Sequence, residues 1–469
     1  MQTQTRSRAV PSIQQVLPAF KQLVPADVVR DMVKATGAHC YERLFTPLIV
    51  VWCFIYQRLN ADHTLDDVVS HVSSGAADHL ADRDRPALSE RIQSQNTAAY
   101  SKARKRMPLA VLQGVAYRLA QACEQRLDAT EHWRGHPVVL LDGATLVLRP
   151  EAELIEHYGR PRNQHGLSYW VVLRMVAAFS LHSAALMAVA EGPHLESEQS
   201  LAKTVLAQLP ALSVCVADSN FGVFSVVQAA RHHHAFALFR LTECRAKALA
   251  RRTLHPGEDR LIQWAPSVHD QRDPALSDQP VAGRLIHVRL EREGFRPIDL
   301  YFFTTLLDAS SYPVDELVTL YGRRWHAELD LRYVKSTLGM DLLTAKSVDM
   351  VRKELWAGLA AYNIVRAYMV VAAREAGLTP LDLSFAQCRR RVRDAINALL
   401  PTDAHNDVAR RLWRLVARLA KCRLQKRLRF RIEPRAVRLR AVQYRALKGS
   451  RAQARQLELR RLLAEPAKC

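Results

Sequence analysis

Along the first 130 residues or so, apolar positions recur at helical spacing. Pro25-Ala-Asp-Val-Val-Arg-Asp-Met-Val-Lys34 starts one helix, and Thr46 to Leu59 carries another. Thr64 precedes Leu-Asp-Asp-Val-Val as an N-cap, with acidic residues in the first turn. The polar stretch Ser73 to Asn96 reads as a loop, and Leu109 to Leu127 as a further helix. At His136 the pattern changes. His136-Pro-Val-Val-Leu-Leu-Asp142-Gly-Ala-Thr-Leu-Val-Leu148 is a β-branched, apolar run that reads as a buried strand with a carboxylate inside it. Tyr169 to Phe179 and Ala184 to Gly192 form a strand pair around Ser180-Leu-His-Ser183. A helix follows at Glu196 to Leu209, then a short strand, Leu212 to Ala217, ending at Asp218. Val223 to His232 is a helix and Ala235 to Leu241 a strand. Three more strand-like runs lie in 242–310, at Arg260, Arg284 and Ile298. Glu354 to Ala376 is apolar on most sides and reads as a buried helix.

The richest polar pattern lies between these last two regions, in Tyr321-Gly-Arg-Arg-Trp-His-Ala-Glu-Leu-Asp-Leu-Arg-Tyr-Val-Lys335. On a continuous helix Tyr321, Arg324, Glu328 and Lys335 project from nearly one face. A hydroxyl, a guanidinium, a carboxylate and an ammonium in a row do not make a core stripe. A salt-bridged, solvated helix face is the plainer alternative, and Arg324 with Glu328 fits it.

Charge narrows the choice. Lys plus Arg number 67 against 46 Asp plus Glu, a net charge of +21. Such a balance points to a polyanion: nucleic acid first, an anionic membrane surface second. The most apolar run, Leu44 to Tyr56, contains Pro47 and is too short to cross a bilayer. No apolar segment follows the first residues as a secretory signal requires. The eight cysteines show no C-x-x-C pair, which suits reduced thiols in a cytoplasmic protein. Three consecutive histidines, His232 to His234, cannot all face one metal on a helix or strand and read as a helix end.

The four spaced residues of 321–335 form Y-x2-R-x3-E-x6-K, with Trp325 directly after the arginine. This closely resembles the signature around the catalytic glutamate of the DDE transposases of bacterial insertion sequences, the IS-four group. The resemblance implies two further catalytic aspartates in strands upstream. Asp142-Gly-Ala-Thr145 resembles the family's first, although a turn aspartate before Gly143 explains it equally well. Asp218-Ser-Asn-Phe-Gly222 resembles the family's Asp-x-x-Phe-Gly, a helix N-cap or turn aspartate being the alternative. The fold class expected is multidomain α/β. An RNase H-like core, a mixed sheet flanked by helices, is interrupted by a β-rich insertion and bordered by helical N- and C-terminal regions. The strand and helix order above fits it.

The implied organisation is a helical DNA-binding domain at 1–131, core segments at 132–241 and 311–376, the insertion at 242–310, and a basic helical region at 377–469. Asp142, Asp218 and Glu328 would hold two Mg²⁺ ions, with Mn²⁺ able to substitute. Tyr321, Arg324, Trp325 and Lys335 would contact DNA near the cut. In relatives the insertion supplies an aromatic that stacks on a flipped base, and Trp264 is the candidate by position, a packed strand tryptophan being the alternative. Arg104 and Arg106 lie in Tyr100-Ser-Lys-Ala-Arg-Lys-Arg-Met-Pro108, similar to a basic stretch ahead of the family's core, and would contact phosphates unless they form a solvated face. Residues 410–461 hold nineteen Lys or Arg and two acids, with Trp413, Phe430 and Tyr444 interleaved. Glu433 to Tyr444 resembles the family's basic C-terminal segment, and neutralising phosphates there predicts salt-sensitive binding. The expected partner is double-stranded DNA, the element's terminal inverted repeats and its target, bound by a homodimer at the prokaryotic nucleoid without a membrane. The expected activity is cut-and-paste transposition through a hairpin intermediate. A nuclease without joining activity and a catalytically silent DNA-binding protein are the rivals.

Overall fold

The structure, a computed structural model, describes residues 20–41, 43–60, 64–80, 86–127, 131–164, 166–274, 276–397, 405–424 and 447–464. Its strands are β1 (Val138–Leu148), β2 (Arg162–Asn163), β3 (Gly166–Leu167), β4 (Val171–Ser180), β5 (Leu186–Pro193), β6 (Val214–Ala217), β7 (Phe236–Leu241), β8 (Asp259–Trp264), β9 (Val281–Leu290), β10 (Ile298–Thr304) and β11 (Leu342–Leu343). Nine of them form a mixed sheet in the order β5-β4-β1-β6-β7-β10-β9-β8, with β11 also paired to β1. The chain divides into two compact units, one of 1–135, 143–197 and 327–424, the other of 136–142, 198–326 and 425–469.

In the second unit β1, β6 and β7 run parallel. Val138 to Leu140 lie opposite Val214 to Val216, and Val214 to Ala217 opposite Phe236 to Phe239. All four residues of β6 are buried, as expected of a central parallel strand. The strand-like runs of 242–310 are all present. They do not make a separate β-domain, however, because β10 pairs antiparallel with β7 and β9 and β8 follow as further antiparallel strands. Phe302 and Phe303 are fully buried, and no layer boundary separates them from β7.

The first unit is built on one helix. Besides the one-turn helices Phe20–Leu23 and Leu88–Arg91, the latter inside the stretch read as a loop, the helices, numbered in chain order, begin with α1 (Ala26–Ala35), α2 (Pro47–Leu59), α3 (Leu65–Ser73), α4 (Ala98–Arg106) and α5 (Leu109–Glu124). They continue with α6 (Ala152–Tyr158), α7 (Glu198–Leu206), α8 (Phe224–His232), α9 (Glu243–Ala250), α10 (Val314–Gly322), α11 (Trp325–Arg332), α12 (Val348–Glu375), α13 (Phe385–Asn397), α14 (His405–Leu419) and α15 (Arg451–Ala464). α12 is long and apolar enough to cross a membrane, but its apolar stretch is buried entirely inside the protein. It packs on α2, α5, α13 and α14. Asn363 ties it to its neighbours, donating to the carbonyls of Ala116 and Leu186 and accepting from the Leu186 N–H.

These contacts revise the expectation of a separate N-terminal domain at 1–131, since α1 to α5 share a compact unit with α12. The physical reason is that α2 is buried on every side, Gln57 and Arg58 included. The Arg58 charge is met 2.5 Å away by Glu354 of α12, which also accepts from the N–H groups of Thr344 and Ala345. Thr64 caps α3 as its position suggests, accepting from the Asp67 N–H at 3.1 Å. In the polar stretch after α3, Asp78 is buried and accepts from the N–H of Ser89 at 2.8 Å.

Candidate active site

Asp142 lies inside β1, which continues through Gly143 to Leu148, so it is no turn residue. Asp218 follows the last residue of β6. In the parallel register Leu140 stands opposite Val216. That is the last pair of the ladder; Asp142 lies two residues beyond it on β1, and Asp218 two residues beyond it on the chain leaving β6. The carboxyl end of a parallel strand is where α/β sheets form their sites.

The loop after β6 is braced. The Asn220 N–H donates to Asp218 Oδ1 at 2.9 Å, an Asx turn that fixes one carboxylate oxygen. Asn220 is held in turn, donating from Nδ2 to Glu198 Oε2 at 2.6 Å and accepting from Gln199 Nε2 at 2.8 Å. Arg245 reaches the Ser219 carbonyl at 3.3 Å. Phe221 is buried and anchors the loop. A Cβ on Gly222 would lie 2.3 Å from the Arg240 carbonyl oxygen, so only glycine fits. Each residue of Asp218-Ser-Asn-Phe-Gly222 thus has a physical task. Glu198, Gln199 and Arg245 were missed in the sequence because they come from other elements. Asn220, two residues after an aspartate, carries a readable Asx signal.

Arg324 stands beside Asp142, Nη1 to Oδ2 3.9 Å, each side chain 17% exposed. That is a long contact, worth little as a salt bridge. The Arg324 guanidinium also lies 6.0 Å from the Tyr321 ring, and Tyr321 packs edge-on against Phe302 at 4.8 Å. Tyr321 and Arg324 therefore occupy the same unit as the two aspartates, with Arg324 at Asp142.

Residues 321–335 are not one continuous helix, which corrects the single-face expectation. α10 ends at Gly322, and the chain tightens through three-residue bonds, Arg324 N–H to the Tyr321 carbonyl (2.9 Å) and His326 N–H to that of Arg323 (3.0 Å). Gly322, a poor helix former, stands at the end of α10. Glu328 sits half-buried in the first turn of α11. Beyond it the chain widens to a π-helix over Tyr333–Thr337, which carries Lys335 and shifts its phase. Trp325 is 57% exposed.

Behind Glu328, Asp330 is buried against Arg366, whose guanidinium lies among the Tyr333, Tyr362 and Phe385 rings at 5.0 to 5.6 Å. Burial pushes the Asp330 carboxyl up to about 6, with Arg366 opposing the shift. Asp330 Oδ2 is buried without a hydrogen-bond partner, which agrees with that direction.

Two arginine and tryptophan expectations change. Trp264 is 6% exposed and packs edge-on against Phe303 at 4.8 Å, so it is a packed strand tryptophan and presents no free face. Arg104 turns inward, its guanidinium 4.7 Å from the Phe54 ring centre, whereas Arg106 is exposed over Tyr41 at 4.3 Å. α4 is one helix, and one residue in three or four must face the core. Trp413 is exposed on α14, while Phe430 and the basic segment Glu433 to Tyr444 lie outside the described residues.

Among the described residues no group of three or more His, Cys, Asp or Glu gathers at metal-holding spacing. Asp142 and Asp218 nonetheless offer an oxygen-only donor pair, the chemistry a hard divalent cation prefers.

Residues 133–364 match the family described as the transposase DDE domain. Over 387 residues the chain is 25% identical to transposase InsG for insertion sequence element IS4 of Escherichia coli (strain K12), covering 80% of this chain and 82% of that relative. A solved structure, the piggyBac transposase synaptic complex with hairpin DNA, aligns with a TM-score of 0.44 at 10% identity, over 90% of this chain and 87% of that one. With that domain and its likeness to the IS4 transposase, the chain is a DDE transposase, an enzyme that cleaves DNA and transfers strands. It belongs to the insertion-sequence transposases related to that of IS4.

Proposed function

We propose that the chain carries out cut-and-paste transposition from an RNase H-like core in which Asp142, Asp218 and Glu328 hold two Mg²⁺ ions, or Mn²⁺ in their place. The observation that supports this is that Asp142 and Asp218 each lie two residues beyond Leu140 and Val216, the last paired residues of the neighbouring parallel strands β1 and β6. The order β5-β4-β1-β6-β7, antiparallel at β5-β4 and parallel from β1 to β7, supports the RNase H-like reading. Divalent cations supply activation of an attacking oxygen and charge stabilisation of the leaving one, in line at phosphorus.

The chain's own residues do the positioning. β1 and the Asx turn hold the two aspartates, and Glu328 completes the carboxylate set. Arg324 and Lys335 neutralise phosphate oxygens, and the Tyr321 hydroxyl hydrogen-bonds one. Water attacks one phosphodiester at the element end, leaving a 3′-OH and a 5′-phosphate. That 3′-OH attacks the opposite strand, which forms a hairpin and releases the flanking DNA. A second water reopens the hairpin, and the freed 3′-OH joins target DNA. No protein nucleophile is required. Cutting two terminal inverted repeats in concert takes two protomers, so the working assembly is a homodimer on DNA, in the cytoplasm at the nucleoid.

The test is cleavage and joining of a labelled duplex from the DNA flanking this gene, with Mg²⁺, for wild type and Glu328→Gln. Hairpin and joined products that vanish in the variant are expected. Nicking without hairpin or joined product would replace this reading with a nuclease.

A further inference from the structure

With Trp264 in the core, the structure exposes a different pair of rings. The sequence pattern starts a strand at Tyr169, but β4 begins at Val171, and Tyr169 and Trp170 stand outside it, 66% and 42% exposed. Their centroids are 5.2 Å apart at an interplanar angle of 84°. Beside them Leu167, on the β2–β3 hairpin, is 64% exposed. The loop is tied down. The Trp170 N–H donates to Ser168 Oγ at 3.1 Å, and the Ser168 N–H to the Pro161 carbonyl at 2.8 Å. The rings are therefore displayed by a short hydrogen-bonded hairpin.

Leaving two large rings in water forgoes the gain their burial would bring, and contiguous exposed apolar surface marks a binding site. The surrounding charge says for what. Residues 159–170 contain Arg160, Arg162 and His165 and no Asp or Glu. Arg162 is exposed, and Arg160 Nε is buried with no hydrogen-bond partner. Aromatic faces set among unopposed cations are the recurring means of holding unpaired nucleic-acid bases, the rings stacking on the base and the cations meeting the phosphates.

We propose that the β2–β3 hairpin, through Tyr169 and Trp170, is a stacking platform for an unpaired base of the bound DNA, with Arg160 and Arg162 on its flanking phosphates. This rests on the reading of the chain as an enzyme that opens DNA ends. The role proposed for the rings is the handling of unpaired DNA, not the chemistry itself.

The experiment uses the full chain, a fluorescein-labelled single-stranded oligonucleotide, and a fully paired duplex of the same sequence. The Tyr169→Ala/Trp170→Ala double variant loses roughly 10- to 100-fold in single-strand affinity. Its duplex affinity and thermal melt stay at wild type, and Trp170→Phe, which keeps a ring, retains most of the binding. Equal losses on both DNAs, or no loss on either, overturn the proposal. So does a variant whose only change is weaker self-association in sedimentation, since the rings would then face a second copy. Mg²⁺-dependent cleavage by the wild type is run on the same preparation. Cleavage with indifferent aromatic variants sinks only the platform, whereas a wild type that neither cuts nor binds DNA sinks the enzymatic reading with it.

Discussion

Asp218, after the apolar strand β6, and Asp330, within the polar helix α11, are treated oppositely by the protein. Asp330 is 2% exposed and is answered by the buried Arg366. Asp218 is half-buried at a strand end, and its carboxylate accepts from the Asn220 N–H. A carboxylate enclosed with its own cation is a structural group, because removing either partner strands the other in low dielectric. A carboxylate held by a turn and aimed along a strand end keeps acceptor capacity for something outside the protein. The same contrast separates Arg104, tucked over Phe54, from Arg106 at the surface of the same helix.

Substitutions can break this contrast. Asp218→Asn keeps the Asx geometry and removes a charge, so cleavage and joining should fall roughly 10³-fold or more, ~4 kcal/mol at the transition state. Its denaturant midpoint should stay near wild type. A comparable loss of stability would make Asp218 a structural residue after all. Arg366→Met should do the reverse, costing about 3–5 kcal/mol in denaturant unfolding by leaving Asp330 buried and unpaired. Gly222→Ala sharpens the comparison by touching both properties. Its Cβ must displace the Arg240 carbonyl, so about 1–3 kcal/mol of stability and part of the activity should go together.

The smallest effect is in pH. Asp330 holds its proton up to about 6 in the folded protein, against the ordinary aspartate value of 3.8. Between those values the folded state binds more protons than the unfolded one, so this group's contribution makes stability fall as pH rises through the window. The expected size is of order 1–3 kcal/mol. Unfolding of wild type and Asp330→Asn, compared from pH 4 to 7, checks it. A difference that grows in the opposite direction would mean that Arg366 outweighs burial.

Much of the site was legible because its signals are local. A carboxylate in or after a buried strand, an asparagine two residues later and a glycine before a helix each act through near neighbours in the chain. The strands from β4 to β10 and the helices α7 and α8 were legible for the same reason, their periods being set by one or two faces of burial, whereas α9, at the head of the segment read as β-rich, was not. Three further things were not legible. The break after Gly322 and the π-turn at Lys335 depend on small differences in helix bonding that residue spacing does not record. The fate of a tryptophan, buried at 264 and displayed at 170, depends on what lies across the sheet or hairpin. The braces on Asn220 come from α7 and the one on Ser219 from α9, both separated from the loop in sequence.

The amino-acid sequence alone determined the chemical inventory: the carboxylates, the Tyr-Arg-Glu-Lys spacing, the cationic excess, and the order of strands and helices. Periodicity and charge are properties of the chain itself, present before it folds. Only the tertiary structure decided that β1, which bears Asp142, and β6, which leads to Asp218, are parallel neighbours and that residues 242–310 extend the sheet rather than form a domain. It also decided which arginines and rings face outward and that the first helices close around α12. Those outcomes depend on register, burial and the pairing of distant charges, which exist only once remote segments are in contact.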